Sequence, residues 1–503
     1  MWIVPDRMSA SKRRLSLQEK IVPNRLEMNR RGFLAASAAG AVALKPWSRV
    51  LGANSDVRVV VIGANGIGKT HLMGFPKIPG ARVVGLCDVD SKVLGTRSGE
   101  FEKQYGSLKK YEDLRKVFDD PEVDAVVLAV PNHWHALGTV WACQAGKDVY
   151  VEKPCSYNIW EANQMRKAAE KYKRIVQVGI QRRSLTYMQD WFKELQAGAL
   201  GKINSVRALF YSRRQPIGTV AGPQQPPATV NHDLWSGPAP TPIMRKHYHY
   251  DWHWFWDLGN GELGNNGPHV LDLARTVLGV KEFPRTTWSV GGRYGWEDDN
   301  GQTPNTQIVH YGYEPAPIIL EIRNLPAKAG TTENNKYRDL GVGIVVDCEN
   351  GSYVGFDKGV VYDKDGKIIK KIEGEVGLDG GRQNHRINFL KAVHSRNPAD
   401  QNCTVADGHL SSSLCHLGNI SHRLGTTVSL PEAIERIQSD KLFGETGNRM
   451  VEHLKANHIE GVQVDLGAQP VFDSNAQSFP DSPKANALLT RTYRKPFVLP
   501  ENV

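Results

Sequence analysis

Val57-Arg58-Val59-Val60-Val61-Ile62 runs straight into Gly63-Ala64-Asn65-Gly66-Ile67-Gly68-Lys69-Thr70, and this stretch decides the fold of the first half of the chain. A run apolar but for Arg58 and closing on glycines is the pattern of a buried parallel strand that feeds a tight turn and a helix. Two chemistries fit it. Gly63, Gly68, Lys69 and Thr70 stand in register with the GxxxxGK[ST] phosphate loop of nucleoside triphosphatases. They also fit a degenerate dinucleotide fingerprint, in which Gly63 makes the turn, Gly68 lets the helix close on the strand and Asn65 replaces the middle glycine, since Asn tolerates positive φ. Either way, backbone N–H groups around Gly66 at a helix N-terminus face a phosphate.

Three further apolar runs follow, each ending in polar residues. Ala81 to Cys87 ends in Asp88, twenty residues beyond Gly68, where a carboxylate accepts both ribose hydroxyls of NAD and repels the 2′-phosphate of NADP. Asp88 would also pass for a magnesium ligand in the phosphate-loop alternative. Asp124 to Val130 ends in Pro131-Asn132-His133-Trp134-His135, and Asp148 to Val151 in Glu152-Lys153-Pro154. Helical patterns between them make this an α/β segment, a doubly wound parallel sheet.

Beyond residue 179 the pattern changes. A helix over 184–198 precedes an alternating strand over 202–214, with further strands at 286–294, 306–313, 317–323, 342–348 and 352–362. Helical stretches lie at 264–279, 382–396 and 407–424. Strands in succession predict an α+β domain with an open, mainly antiparallel sheet. The expected division is a leader at 1–53, a nucleotide-binding domain at 54–179, a substrate and oligomerisation domain at 180–440 and a C-terminal extension at 441–503.

The fingerprint, Asp88, Pro131-Asn132 with His135, the run Ala145-Gly146-Lys147-Asp148-Val149 and Glu152-Lys153-Pro154 resemble the glucose–fructose oxidoreductase, inositol dehydrogenase and rhizopine-catabolism (Gfo/Idh/MocA) family. The resemblance implies a Rossmann domain that binds NAD through Gly63, Asn65, Gly66, Gly68, Asp88, Pro131, Asn132, His135 and Glu152. The family's catalytic helix reads Asp-x-x-x-His-x-x-Asp, and the matching register here is Asn265-Asn266-Gly267-Pro268-His269-Val270-Leu271-Asp272. Lys153 then matches the lysine that contacts substrate hydroxyl and nicotinamide, and His269 the proton-transfer histidine. Asn265 departs from the usual Asp. An amide shares no proton, so the relay would rest on Lys153 and His269 while Asn265 orients substrate. On a helix Asn265, His269 and Asp272 share one face and point into one cleft.

His247 to Trp256 interleaves imidazoles with aromatics. If extended, His247, His249, Asp251 and His253 share one face, either as metal ligands or, as favoured here, as hydroxyl-binding edges beside Trp252 and Trp254 stacking on sugar rings. An aromatic packing ridge is the plainer alternative. Arg182 follows a strand end and either reaches a substrate carboxylate or solvates a turn. No metal is assigned.

The chain of 503 residues has a formal charge of +10, but residues 1–53 contribute +7 of it. A near-neutral body gives no electrostatic case for nucleic acid. Asn29-Arg30-Arg31-Gly32-Phe33-Leu34 before the small apolar stretch Ala35 to Leu44 resembles a twin-arginine export signal, implying a periplasmic protein with no stable membrane insertion after processing. Met28 offers an alternative start. The six cysteines show no CxxC spacing and are expected buried and reduced.

Together these imply an NAD-dependent oxidoreductase, a homo-oligomer with tightly held cofactor, moving hydride between nicotinamide and a hydroxyl-bearing carbon of a sugar, sugar derivative or cyclitol. Two alternatives remain open here: an NAD-dependent redox-neutral glycoside hydrolase, and a non-catalytic NAD-bound sugar-binding protein.

Overall fold

The computed structural model describes residues 56–239, 242–377 and 379–503; the twin-arginine stretch lies outside them. Strands β1 (Val57–Ile62), β2 (Ala81–Cys87), β3 (Lys109–Tyr111), β4 (Ala125–Leu128), β5 (Asp148–Val151) and β6 (Val176–Val178) form a parallel sheet in the order β3-β2-β1-β4-β5-β6. This is the dinucleotide-binding strand order, reversing direction between β1 and β4, where ligands bind in such sheets. Helix α1 (Ile67–Gly74) leaves the glycine turn and α2 (Asn132–Gln144) leaves β4. Every residue of β1 is buried, since both sheet faces are covered: Val57, Val59 and Val61 meet Leu72 and Phe75, while Val60 and Ile62 meet Leu137 and Val140.

The second sheet has ten strands: β7 (Ile203–Tyr211), β8 (Thr286–Gly292), β9 (Thr306–Gly312), β10 (Ile318–Arg323), β11 (Val342–Cys348), β12 (Gly351–Gly355), β13 (Gly359–Asp363), β14 (Ile368–Ile372), β15 (Thr426–Ser429) and β16 (Gln463–Leu466). Its order is β14-β13-β12-β11-β7-β10-β9-β8-β16-β15. All pairs are antiparallel except β7 with β10.

Three sequence expectations change. The strand read over 352–362 is a hairpin, β12 with β13. The helix read over 264–279 is two, α3 (Gly261–Asn265) and α4 (Gly267–Leu278), because Pro268 has no N–H with which to continue the ladder and its ring excludes the carbonyl four residues back. The domain limits also shift. β16 sits between β8 and β15, and helix Lys441–Ala456 sends Met450 and Leu454 into the core beneath Val290 and Ile308, so the second domain extends past 440. Conversely, α5 (Arg382–Ser395) packs Phe389 and Val393 on the Val57–Val61 face of the first sheet, and the tail returns Phe497 and Leu499 to its other face. An apolar pattern states that a face is buried, not what buries it.

All six cysteines are buried and unpaired. Among the described residues no helix is long and apolar enough to cross a membrane.

Candidate active site

A cavity of about 550 Å³ opens along the carboxyl ends of β1, β2, β4 and β5 and runs to α3 and α4. Gly63 turns the chain at φ +88°, and a Cβ there would run into the Ala129 carbonyl. At Gly68 a Cβ would strike the Gly63 carbonyl, so this glycine supports the turn without lining the cavity. The left-handed residue before α1 is Gly66, at φ +50°, with open space where a side chain would stand. Asn65, expected to supply that conformation, does not; its side chain accepts from Arg97 at 2.8 Å, and glycine takes the strained position because it has no Cβ to clash. Lys69 pairs with Glu100 at 3.1 Å and is half exposed. A phosphate-loop lysine would face the cavity, so the dinucleotide alternative prevails.

Asp88 faces the cavity at the end of β2. Its carboxylate accepts from the backbone N–H groups of Ala64 and Asp90 at 2.8 and 2.9 Å. Burial nonetheless raises its pKa above the usual value. Pro131, Asn132 and His135 line the wall after β4. Asn132 donates to Asn260 at 3.0 Å, and the His135 ring lies 2.6 Å from the Pro154 carbonyl, tying β4 to the turn after β5.

At the far end Lys153, Asn265 and His269 meet. The ammonium of Lys153 donates to the Asn265 backbone carbonyl at 2.7 Å and to its amide oxygen at 3.3 Å. Burial lowers the Lys153 pKa, with Glu152 opposing. His269 is held neutral, first by burial and then by the positive charge of Lys153. Its Nδ1 is buried without a hydrogen-bond partner, and the residue lines the cavity.

Sequence reading missed what stands behind Glu152. His71 of α1 lies 2.8 Å from Glu152, and Arg386 of α5 donates to His71 Nδ1 at 3.2 Å. Burial alone would raise the Glu152 pKa, yet these contacts and Lys153 hold it down at about 2. Arg382, one turn before Arg386, lines the cavity, as does Gln181. No spacing rule could find them, because they come from distant segments.

Of the expected substrate contacts Trp252, His249 and His253 line the cavity, with the His253 ring stacked on Trp252 at 3.7 Å, whereas Trp254, Arg182, Asp272, His247 and Asp251 do not. Asp251–Trp254 is a short 3-10 helix, not an extended strand, so the alternation of faces is lost. Trp254 packs with Ile217 and Phe255 instead. The imidazoles diverge: His247 pairs with Asp251 and His249 with Asp90. Arg182 is tied to Asp357 at 2.8 Å and lies over Phe356. Asp272 accepts from Arg183 at 2.9 Å and Ser411 at 2.6 Å. Asp272 and Arg182 therefore serve packing, since a buried charge takes the nearest partner. The break at Asn266 explains why Asp272 leaves the cleft that Asn265 and His269 share.

Comparison with known proteins agrees with this geometry. Residues 57–180 match the NAD-binding Rossmann fold of the Gfo/Idh/MocA oxidoreductase family, and residues 214–324 match its C-terminal alpha/beta domain. Over these two segments the chain is similar to Gfo/Idh/MocA oxidoreductases. Among curated relatives, a levoglucosan dehydrogenase of Pseudarthrobacter phenanthrenivorans is 24% identical over 228 residues, 44% of this chain and 52% of that one. A scyllo-inositol 2-dehydrogenase (NAD(+)) of Bacillus subtilis is 32% identical over 151 residues, 29% of this chain and 42% of the other. The chain thus spans about half the length of the curated relatives it matches. A solved levoglucosan dehydrogenase in complex with NADH and levoglucosan shares the fold, with TM-score 0.54 and 18% identity over 72% of this chain and 96% of that one.

Proposed function

We propose that the protein is an NAD-dependent oxidoreductase acting on a hydroxyl-bearing carbon of a sugar, sugar derivative or cyclitol. One observation carries it: Lys153, Asn265 and His269 close the end of the same cavity whose other end holds the glycine turn and Asp88. NAD fits these residues. Gly66 leaves its backbone bare to a pyrophosphate, α1 opens there, and Asp88 presents a carboxylate to ribose hydroxyls. When bound, NAD supplies the hydride acceptor. The chain's residues handle the proton: Lys153, its pKa lowered by burial, and neutral His269 hold or accept the hydroxyl proton, and Asn265 fixes Lys153. The relatives named as levoglucosan and scyllo-inositol dehydrogenases support the carbohydrate class. Purified protein given NAD and a panel of sugars and cyclitols is expected to produce NADH absorbance. Release of aglycone from aryl glycosides without net NADH would overturn a dehydrogenase.

We further infer export to the periplasm, on the strength of Arg30-Arg31-Gly32-Phe33-Leu34 and the alanine-rich stretch after it, tested by replacing both arginines with lysine and following the protein between cell fractions. A homo-oligomer is proposed from the edge strand β14, where Ile368 and Ile369 are half exposed; light scattering decides it.

A further inference from the structure

The cavity is electrically divided. Asp88, Glu112 and Asp113 line one end, Lys153 and Arg382 the other. Arginines near the reacting end are mostly neutralised: Arg182 by Asp357 at 2.8 Å, Arg214 by Glu262 at 2.7 Å and Arg386 by Asp379 at 3.1 Å. Arg382 differs. Among the described residues no carboxylate lies within 4.0 Å of it, and its guanidinium donates only to the Asp379 backbone carbonyl, at 2.6 Å. Glu152, the carboxylate on this wall, is hydrogen-bonded by His71 and the Lys153 N–H and offsets one of the two cations, Lys153 before Arg382, which leaves one positive charge over. His269, 8% exposed with an unpartnered Nδ1, brings no charge. Arg382 also opens the 14-residue α5, whose N-terminus adds to the positive field.

A neutral sugar satisfies hydrogen-bond donors here but leaves the excess charge uncompensated, and a partly desolvated cation favours an anion. Within the carbohydrate oxidoreductase reading, on which this rests, we infer that the substrate carries an anionic group, a carboxylate or a phosphate, received by Arg382. Its hydroxyl-bearing carbon then lies toward Lys153 and His269.

Calorimetric titration of the NADH-loaded full chain with D-glucuronate, D-glucose 6-phosphate and D-glucose tests this. At least one anion is expected to bind about tenfold more tightly than glucose, and the two anions separate carboxylate from phosphate. Arg382→Met should abolish the preference and Arg382→Lys retain part of it; Arg382→Gln substitutes if the Met variant does not fold. Glucose binding as tightly as both anions, no binding by any of the three, or an undiminished preference in Arg382→Met would overturn it. The same titrations without cofactor should show the same preference, so a failure to bind NADH falls on the functional reading and not on this one.

Discussion

His71 donates from Nε2 to Glu152 Oε1 at 2.8 Å across 81 residues of chain. Arg386 fixes the tautomer. A guanidinium only donates, so the Nδ1 that receives Arg386 at 3.2 Å carries no proton, which leaves the proton on Nε2. The glycine-turn helix, the Glu-Lys-Pro turn and α5 are thereby joined behind the lysine proposed for proton handling.

Acid should loosen this junction. Glu152 sits at about 2 against an ordinary 4.5, so its contribution, roughly 3 kcal/mol, is complete above pH 4.5 and lost as pH falls toward 2. His71 acts in the same direction. Burial lowers its pKa from 6.5, so stability declines below pH 6.5 as the unfolded chain gains a proton that the folded one refuses. His71→Ala should cost about 3 kcal/mol at pH 7.5 by leaving Glu152 short of a donor, and His71→Gln less. Urea unfolding between about pH 2.5 and 8 checks both; stability in the parent that is flat over this range contradicts the account.

Lys153→Met removes the buried ammonium but none of the glycine turn. Turnover should fall about 10²- to 10⁴-fold, while NADH affinity, read by fluorescence, stays within about threefold, because turnover depends on proton transfer and NADH affinity mainly on the glycine turn.

Gly63 and Gly66 separate folding from binding. At Gly63 a side chain meets the Ala129 carbonyl as well as a positive φ, so Gly63→Ala should cost about 3 kcal/mol or more and lower Tm. At Gly66 the space is open, so Gly66→Ala should cost about 1–3 kcal/mol from backbone strain alone and act mainly on NADH affinity. Melting curves paired with NADH titration would expose the reverse ranking.

Asp88→Ser should relax cofactor choice. Loss of the carboxylate removes the acceptor for ribose hydroxyls and the repulsion of a 2′-phosphate, shifting the NADPH-to-NADH affinity ratio about tenfold toward NADPH. An unchanged ratio would show that the discrimination lies elsewhere.

The first domain was legible in the chain because its signals are local. A strand buried on both faces is apolar nearly throughout, Arg58 of β1 being paired with Asp124, a tight turn needs glycine, and a parallel sheet places its polar residues at strand ends, so β1, Gly63, Asp88 and Lys153 announce themselves within short windows. Asn265 and His269 were legible for the same reason, one helical register. Local pattern failed where a partner had to be chosen. The extended face expected at His247 to His253 is a 3-10 turn, and Asp272, on the right helical face, is captured by Arg183 and Ser411. His71, Arg382 and Arg386 entered the site only through the folded chain, because α5 lies more than 300 residues beyond α1 in sequence yet packs on the same sheet. Sequence by itself set the strand ends and the charges they carry; tertiary structure decided which of those charges are neutralised, since pairing depends on distance in space, and it left Arg382 facing the cavity without a carboxylate.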